Sequence, residues 1–414
     1  MTRVEKNRPA NGKVRSLLLA ESFLPHRGGS RTYYYHLFRN WRPDEVTVLT
    51  RKVPGWQEFD ARESNEYFRI VRRGRPSARF GYTDLPKAVA PLLQASIRSS
   101  FPGVDVVHSG DLFPQGLIAL MLKRTRAIPY VAFCHGEEIT QSDRFRRQPA
   151  IRNRIYRSAN AVIANAEYAR RRLLEIGVPS NRIHKITPGV DCDVFAPGEP
   201  DRDLQSRYGL QRQFVLLTVA RLIARKGHDM VIRAVARLTA DCPDIRYLIA
   251  GKGPEEDRLR ELAADLGIAE KVVFAGFVPD EQLADIYRLS NLAVMPNREQ
   301  HGDLEGFGIT FLEASATSKP VIGGRSGGAS EAVSHGVSGE LIDPTDLEQL
   351  VAAIRGFLLD PAKAQSMGRA GRKRALTDFD WRSRAQHLRA ITRGVAQAAV
   401  GQTALNGAGC QDRI

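Results

Sequence analysis

Apolar runs of four to seven residues recur along the chain, each bounded by polar or turn-forming positions. They cover residues 14–20, 46–50, 104–108, 130–135 and 161–164, with intervening segments long enough to hold helices. Runs this short, closing on Gly- or His-containing turns, predict parallel strands buried on both faces. The alternation predicts an α/β fold. It resets after Pro188-Gly189-Val190 and the Pro197/Gly198/Pro200 cluster, and residues 214–220, 246–250, 272–275, 292–295, 320–323 and 339–342 repeat it. Two Rossmann-like halves joined near residue 200 follow. In doubly wound sheets ligands bind beyond the carboxyl ends of the strands, so the chemistry is expected in residues that come just after them.

Length and composition fit this division. At 414 residues the chain exceeds the ~250–300 at which one core stops growing. The predicted domains are 14–198 and 199–378, followed by a C-terminal helix at 379–400. That helix carries Arg382, Arg384, Arg389 and Arg393, and either packs back on the first domain or stands solvated. Residues 1–13 and 401–414 read as a disordered start and a loose tail. With 43% hydrophobic and 26% charged residues the chain has a globular composition. Its longest uncharged apolar run, 117–122, falls far short of the ~20 residues of a membrane span. The polar, basic N-terminus (Arg3, Lys6, Arg8) gives no sign of a signal peptide, and a cytoplasmic location is expected. Cys134, Cys192, Cys242 and Cys410 form no C-x-x-C pair, as suits reduced thiols. The net charge of +15 is unevenly spread: residues 1–200 hold 33 Lys/Arg against 19 Asp/Glu, 201–350 hold 17 against 23, and 351–414 hold 11 against 4. A basic first half suits an anionic partner, whether nucleic acid, phospholipid surface or polyprenyl phosphate, or is a general basic bias.

The stretch from Glu305 to Glu313, Glu-Gly-Phe-Gly-Ile-Thr-Phe-Leu-Glu, is the most specific signal. At about 100° per residue, positions eight apart lie roughly 80° out of register, so one helix would not converge the two carboxylates. Glu305 is therefore placed in a loop turned by Gly306 and Gly308, with the helix running over 309–316 and offering its first amides to an anion. Glu305 would then reach a sugar's hydroxyls and Glu313 a second ring such as ribose. Arg221 and Lys226-Gly227 follow the strand at 214–220 and precede a helix with Met230, Val231, Ala234, Val235 and Leu238 on one face, which makes a diphosphate clamp. Gly251-Lys252-Gly253 lacks the third glycine of a dinucleotide fingerprint and supports only a nucleotide contact. Phe277 and Val278 read as a base pocket, with core packing as the alternative for Phe277. Gly28-Gly29 precedes a helix with Tyr33, Tyr34 and Tyr35 and either approaches a phosphate or acceptor or is a plain helix-start turn. His135, followed by Gly136-Glu137-Glu138, is a sugar contact or a structural histidine. The Asp-x-Asp pairs 191/193, 201/203 and 378/380 read as turns or caps rather than metal sites.

On these segments, with Pro188-Gly189-Val190-Asp191, Phe195 and Ser326-Gly-Gly-Ala-Ser-Glu331, the chain resembles the retaining GT-B glycosyltransferases of family 4 over about residues 14–395. Met295-Pro-Asn-Arg-Glu with Gly302-Asp-Leu-Glu-Gly-Phe-Gly is similar to the phosphatidylinositol-mannoside mannosyltransferase branch. The resemblance implies two Rossmann-like domains facing across a cleft, with the last helix returning to the first. It implies an enzyme, a hexosyltransferase moving mannose from GDP-mannose, ahead of UDP-hexoses, to an anionic lipid-linked or glycan acceptor. Contact with the inner face of the cytoplasmic membrane would be peripheral, and no cofactor or metal is expected. Arg221 and Lys226 would hold the diphosphate, Glu305 and His135 the sugar, and Glu313 the ribose. Gly28, Gly29, Gly251, Gly253, Phe277, Val278, Phe307, Gly308 and Ile309 would line the donor. Both glutamates belong on the donor side, so no hydrolase-like carboxylate pair is evident. Front-face displacement, with the departing phosphate taking the acceptor proton, is the expected route. Ser318-Lys319-Pro320 and Ala329-Ser330-Glu331 depart from the more usual Gly-x-Pro and Ile-Pro-Glu. A nucleotide-sugar epimerase or a phosphorylase on the same scaffold is the rival enzyme reading; a basic nucleic-acid-binding protein is the rival from another class, though no nucleic-acid module is present.

Overall fold

The computed structural model describes residues 13–25, 28–63, 66–73, 103–136, 139 and 149–408. Glu137, Glu138, Cys410 and all but Lys13 of the N-terminal segment lie outside the described residues. The chain divides into two compact units: residues up to Ile186 together with those from Arg382 onward, and Thr187–Trp381.

The first unit holds a seven-stranded sheet of β1 (Ser16–Leu19), β2 (Val46–Arg51), β3 (Arg69–Arg73), β4 (Val106–Ser109), β5 (Tyr130–Cys134), β6 (Ala161–Ala164) and β7 (Ile183–Lys185). Its order is β3-β2-β1-β4-β5-β6-β7, every pairing parallel. The second unit holds β8 (Phe214–Val219), β9 (Ile245–Ala250), β10 (Val272–Gly276), β11 (Leu292–Met295), β12 (Val321–Gly324) and β13 (Gly339–Ile342) in the order β10-β9-β8-β11-β12-β13, again all parallel. Both sheets wind outward from their first strand, so the order reverses between β1 and β4 and between β8 and β11. A crevice opens at the carboxyl ends of those pairs.

The buried strands are the predicted apolar runs, fully shielded as the pattern requires: β1, β4, β5, β6 and β11 are buried at every position. Helix His228–Leu238 turns Met230, Val231, Ala234, Val235 and Leu238 into the core of the second unit beside Leu216, Ile249 and Ile354. Each large aliphatic removed from water there contributes roughly 1.5–3 kcal/mol. Two strands were invisible in the apolar pattern. β3 reads Arg-Ile-Val-Arg-Arg and β7 Ile-His-Lys, and both lie at sheet edges, where charged side chains guard unpaired backbone.

Two boundaries differ from the sequence expectation. Residues 187–198 belong with the second unit, because Val190 N–H donates to the Phe379 carbonyl (2.9 Å) and Arg372 donates to the carbonyls of Cys192 (3.0 Å) and Phe195 (2.7 Å). The last helix runs from Trp381 to Ala408, so most of the supposed loose tail is helical. From Arg382 onward it counts with the first unit, where Arg389 Nη2 donates to both carboxylate oxygens of buried Glu45 at 2.6 Å.

Beneath that helix lies His108, fully buried on β4 against Phe38 and Trp41, its Nε2 3.5 Å from the Thr392 hydroxyl. Its Nδ1 meets no hydrogen-bond partner among the described residues. Burial holds its pKa down to about 3, against ~6.5 for an unfolded histidine. Between those values the unfolded chain takes up a proton that the folded one refuses, so stability is full above the unfolded value and falls on acidification by up to about 1.4 kcal/mol per pH unit. We expect the urea midpoint of the first unit to drop between about pH 6 and pH 4, and His108→Phe to flatten that limb. An unchanged slope in the variant would remove His108 as its source.

Candidate functional site

The charged residues of the second unit converge at its switch point. After β8 the chain passes through Arg221 and one 3-10 turn, Ala224–Lys226, into helix His228–Leu238. After β11 it passes through Asn297, Asp303 and Glu305 into helix Ile309–Ala316, which starts where the carboxylate spacing places it. Gly308, in the left-handed region at φ 86°, makes that start possible. Because β8 and β11 are hydrogen-bonded neighbours, with Leu216 opposite Leu292, the two loops leave the sheet side by side.

Glu305 joins them. It is 9% exposed, and its Oε2 accepts from Arg225 Nη1 (2.8 Å) and from the Lys226 ammonium. Arg225, itself 7% exposed, is ion-paired with Asp303, its Nε 3.0 Å from Oδ1 without an aligned hydrogen bond. Burial pushes the Glu305 carboxyl up, but Lys226 and Arg225 outweigh it and leave it below the ordinary carboxylate value. For Lys226 burial wins: together with the like charges of Arg225 and Arg221 it overcomes the pull of Glu305 and lowers the ammonium. Two cations thus pair with two carboxylates, and the exposed Arg221 adds a third positive charge that acts on Lys226. Sequence reading missed Arg225 and Asp303; their signal is adjacency, one residue before Lys226 and two before Glu305.

Arg221 is exposed at the strand end, and its carbonyl accepts from His228 Nε2 (3.2 Å). Burial drives His228 down to about 4, so the ring is neutral. A carbonyl only accepts, which puts the proton on Nε2; Nδ1 lies 3.0 Å from the hydroxyl oxygen of Tyr247, which donates to Thr218 Oγ1 (2.8 Å). His228, also missed, thereby pins the backbone of Arg221. Glu313, one turn into its helix, accepts from the Tyr287 hydroxyl (2.7 Å), whose pKa burial and then Glu313 hold well above the ordinary value.

The remaining predicted donor residues separate by role. Gly251 and Gly253 sit where a Cβ would strike the carbonyl oxygens of Ala220 and Leu222, so these glycines let the β9 loop cross the backbone of the β8 loop. Phe277 is 57% exposed beyond β10, which excludes core packing, whereas Val278 is buried. The Phe307 ring makes an edge contact with Phe379 (5.9 Å) and is 3% exposed. Ile309 is half-buried at the first position of its helix. Gly28, Gly29 and His135 lie in the first unit. Gly28 precedes helix Gly29–Arg39, and His135 follows β5 with its Nε2 2.6 Å from the Tyr34 hydroxyl and its ring edge-on to Tyr33 and Tyr34. Of the Asp-x-Asp pairs, Asp191 accepts from the amides of Asp193 and Val194, and Asp201 caps helix Arg202–Tyr208 through Leu204 N–H.

The chain matches two family descriptions: Glycosyltransferase Family 4 over residues 27–194 and Glycosyl transferases group 1 over residues 202–374. It is 36% identical, over 92% of its length and 99% of the relative's, to a GDP-mannose-dependent alpha-(1-6)-phosphatidylinositol monomannoside mannosyltransferase of Mycolicibacterium smegmatis. Among solved structures it resembles a sucrose-phosphate synthase of Thermosynechococcus elongatus (TM-score 0.76, 23% identity, 93% of this chain and 100% of that one). It also resembles Anabaena HepE in complex with UDP (TM-score 0.75, 20% identity, 91% and 98%). These two likenesses concern the fold, which is GT-B. Two parallel-sheet units, a cationic crevice with a buried glutamate, and this kinship along the whole chain set the nucleic-acid-binding reading aside: the protein is a hexosyltransferase and belongs to the family 4, group 1 glycosyltransferases.

Proposed function

We propose that the protein transfers mannose from GDP-mannose to a hydroxyl of an anionic, lipid-linked mannoside. The observation that carries this is the Glu305 carboxylate seated on Arg225 and Lys226, with the further positive charge of Arg221 acting on Lys226, beside the start of helix Ile309–Ala316. A diphosphate answers the cations and the helix amides, and a sugar's hydroxyls answer the carboxylate. Arg221 and Lys226 hold the diphosphate, Glu305 the mannose and Glu313 the ribose, with the exposed Phe277 ring against the base. His135, Gly28 and Gly29 serve the sugar and the acceptor. The donor is inferred from the mannosyltransferase relative, whose name states both its donor and its acceptor.

Transfer proceeds with retention on one face of the sugar, without a metal. Glu305 is committed to cations and Glu313 to Tyr287, so neither stands as a nucleophile. The departing phosphate takes the acceptor proton while Arg221 and Lys226 absorb the charge that develops on it. No described helix is long and apolar enough to cross a membrane, and the basic first half would bring the enzyme to the cytoplasmic face of an anionic one.

In a thermal-shift panel of GDP, UDP and ADP sugars in EDTA we expect GDP-mannose to stabilise the protein most; preference for a UDP sugar would overturn the donor. Lys226→Ala should lower turnover at saturating donor by roughly 10²–10³-fold, and wild-type turnover by the folded variant would remove Lys226 from the transition state. Product formed only with acceptor present separates the transferase from an epimerase. Co-sedimentation with acidic-lipid vesicles at low salt, released at high salt, is expected; no binding at low salt removes the membrane contact.

A further inference from the structure

Lys226 has two claimants. The reading above gives it to a diphosphate, whereas in this structure it holds Oε2 of Glu305, the carboxylate assigned to the sugar. Arg225 holds the same oxygen at 2.8 Å but is also ion-paired at its other edge, where Nε lies 3.0 Å from Asp303 Oδ1 without an aligned hydrogen bond. Its backbone is tied as well, since Arg298 N–H donates to the Arg225 carbonyl at 2.9 Å. Lys226 is a point charge on a flexible four-carbon stem, and its ammonium can swing where a guanidinium held at two edges cannot.

We propose that the site works by counterion exchange: an incoming diphosphate draws Lys226 away from Glu305, exposing one side of that carboxylate to the sugar's hydroxyls, while Arg225, anchored on Asp303, keeps it in place. Glu305 stands in for the ligand's anion until the ligand arrives. This rests on the diphosphate reading of Lys226. It adds that the sugar is read only after the diphosphate is seated, and that Arg225 is a positioning residue acting through Glu305. The electrostatics favour the exchange. Lys226 leaves a carboxylate that retains a second cation for a group bearing at least two negative charges, and attraction between charges grows with their product. A sugar alone carries no charge to move Lys226, so mannose without its diphosphate should not bind.

The test is a double-mutant cycle read by calorimetry with inorganic pyrophosphate and with GDP, neither of which carries the sugar. Glu305→Gln releases Lys226, so both probes should bind roughly tenfold tighter while transfer from GDP-mannose falls roughly 100-fold. In a Lys226→Met background the tightening should vanish. Tightening that survives there is a general field effect and overturns the exchange. If Glu305→Gln leaves affinity unchanged while Lys226→Met weakens it, the exchange fails and the diphosphate reading stands. If Lys226→Met weakens neither probe, the diphosphate reading itself fails. Should Glu305→Gln not fold, Glu305→Asp, a methylene short of Lys226 at unchanged charge, replaces it in the cycle; about threefold tightening that vanishes with Lys226→Met supports the exchange, and its absence or its survival there overturns it. For Arg225, Arg225→Ala should lower transfer roughly 100-fold and, by leaving Glu305 to Lys226 alone, weaken pyrophosphate roughly threefold, a weakening that should vanish in a Glu305→Gln background; Arg225→Lys should recover part of both. A loss of pyrophosphate binding that persists with Glu305→Gln would make Arg225 a diphosphate ligand instead.

Discussion

One carboxylate oxygen shared by two buried cations is the constraint around which the second unit is organised. Removing any of the three charges from water costs several kcal/mol, and only close partners offset it. Glu305 could not lie 9% exposed without Arg225 and Lys226, nor could Arg225 lie 7% exposed without Glu305 and Asp303. The arrangement requires loops from two strands to meet within hydrogen-bonding distance. That is possible because β8 and β11 are neighbours in space though separated in sequence by two strands and three helices.

The supports around this contact are mostly backbone. The Glu305 carbonyl accepts from Gly328 N–H (2.9 Å), the buried Asn297 side chain bridges Gly324 N–H and the Ser326 carbonyl, and Arg298 pairs with Asp229 at 3.0 Å. The β8 loop, the β11 loop and the loop after β12 are thereby tied to one another, and the position of Glu305 is fixed from outside its own loop. Charge alone would not do this: carboxylate–cation attraction draws groups together without fixing an angle, and peptide groups locked in hydrogen bonds supply the angle.

How much of this could be read from the sequence follows from the range of each interaction. Strands such as Ala161–Ala164 and Leu292–Met295 are continuous apolar runs because both faces are buried, so their bounds were legible to the residue. β3 and β7 were not, because an edge strand is defined by its neighbour rather than by its own composition. The helix start at Ile309 was legible because eight-residue spacing and flanking glycines are local geometry. Arg225 was not, since nothing in Ala-Arg-Lys-Gly distinguishes a guanidinium turned inward toward residues 78 and 80 positions away from one left in solvent. The Phe307 ring, 3% exposed against Phe379, likewise owes its place to a partner far along the chain.

Charge counted by segment was the least faithful guide, for a physical reason. Residues 201–350 carry more acid than base, yet three of their cations gather after β8, Arg221 and Arg225 both acting on Lys226. Most acids of that segment lie on solvated surface, such as Glu348 paired with Arg237 and Asp241 with Arg355, both pairs largely exposed. Beyond a Debye length of about 8 Å such charges are screened, whereas Lys226 and Arg225 act on Glu305 at contact and out of water. An anion therefore meets the few charges within its own reach and not the sum of the segment. Net charge counted over a segment is therefore a statement about long-range fields, while the charge met at close range is set by which side chains the switch point of a sheet brings together.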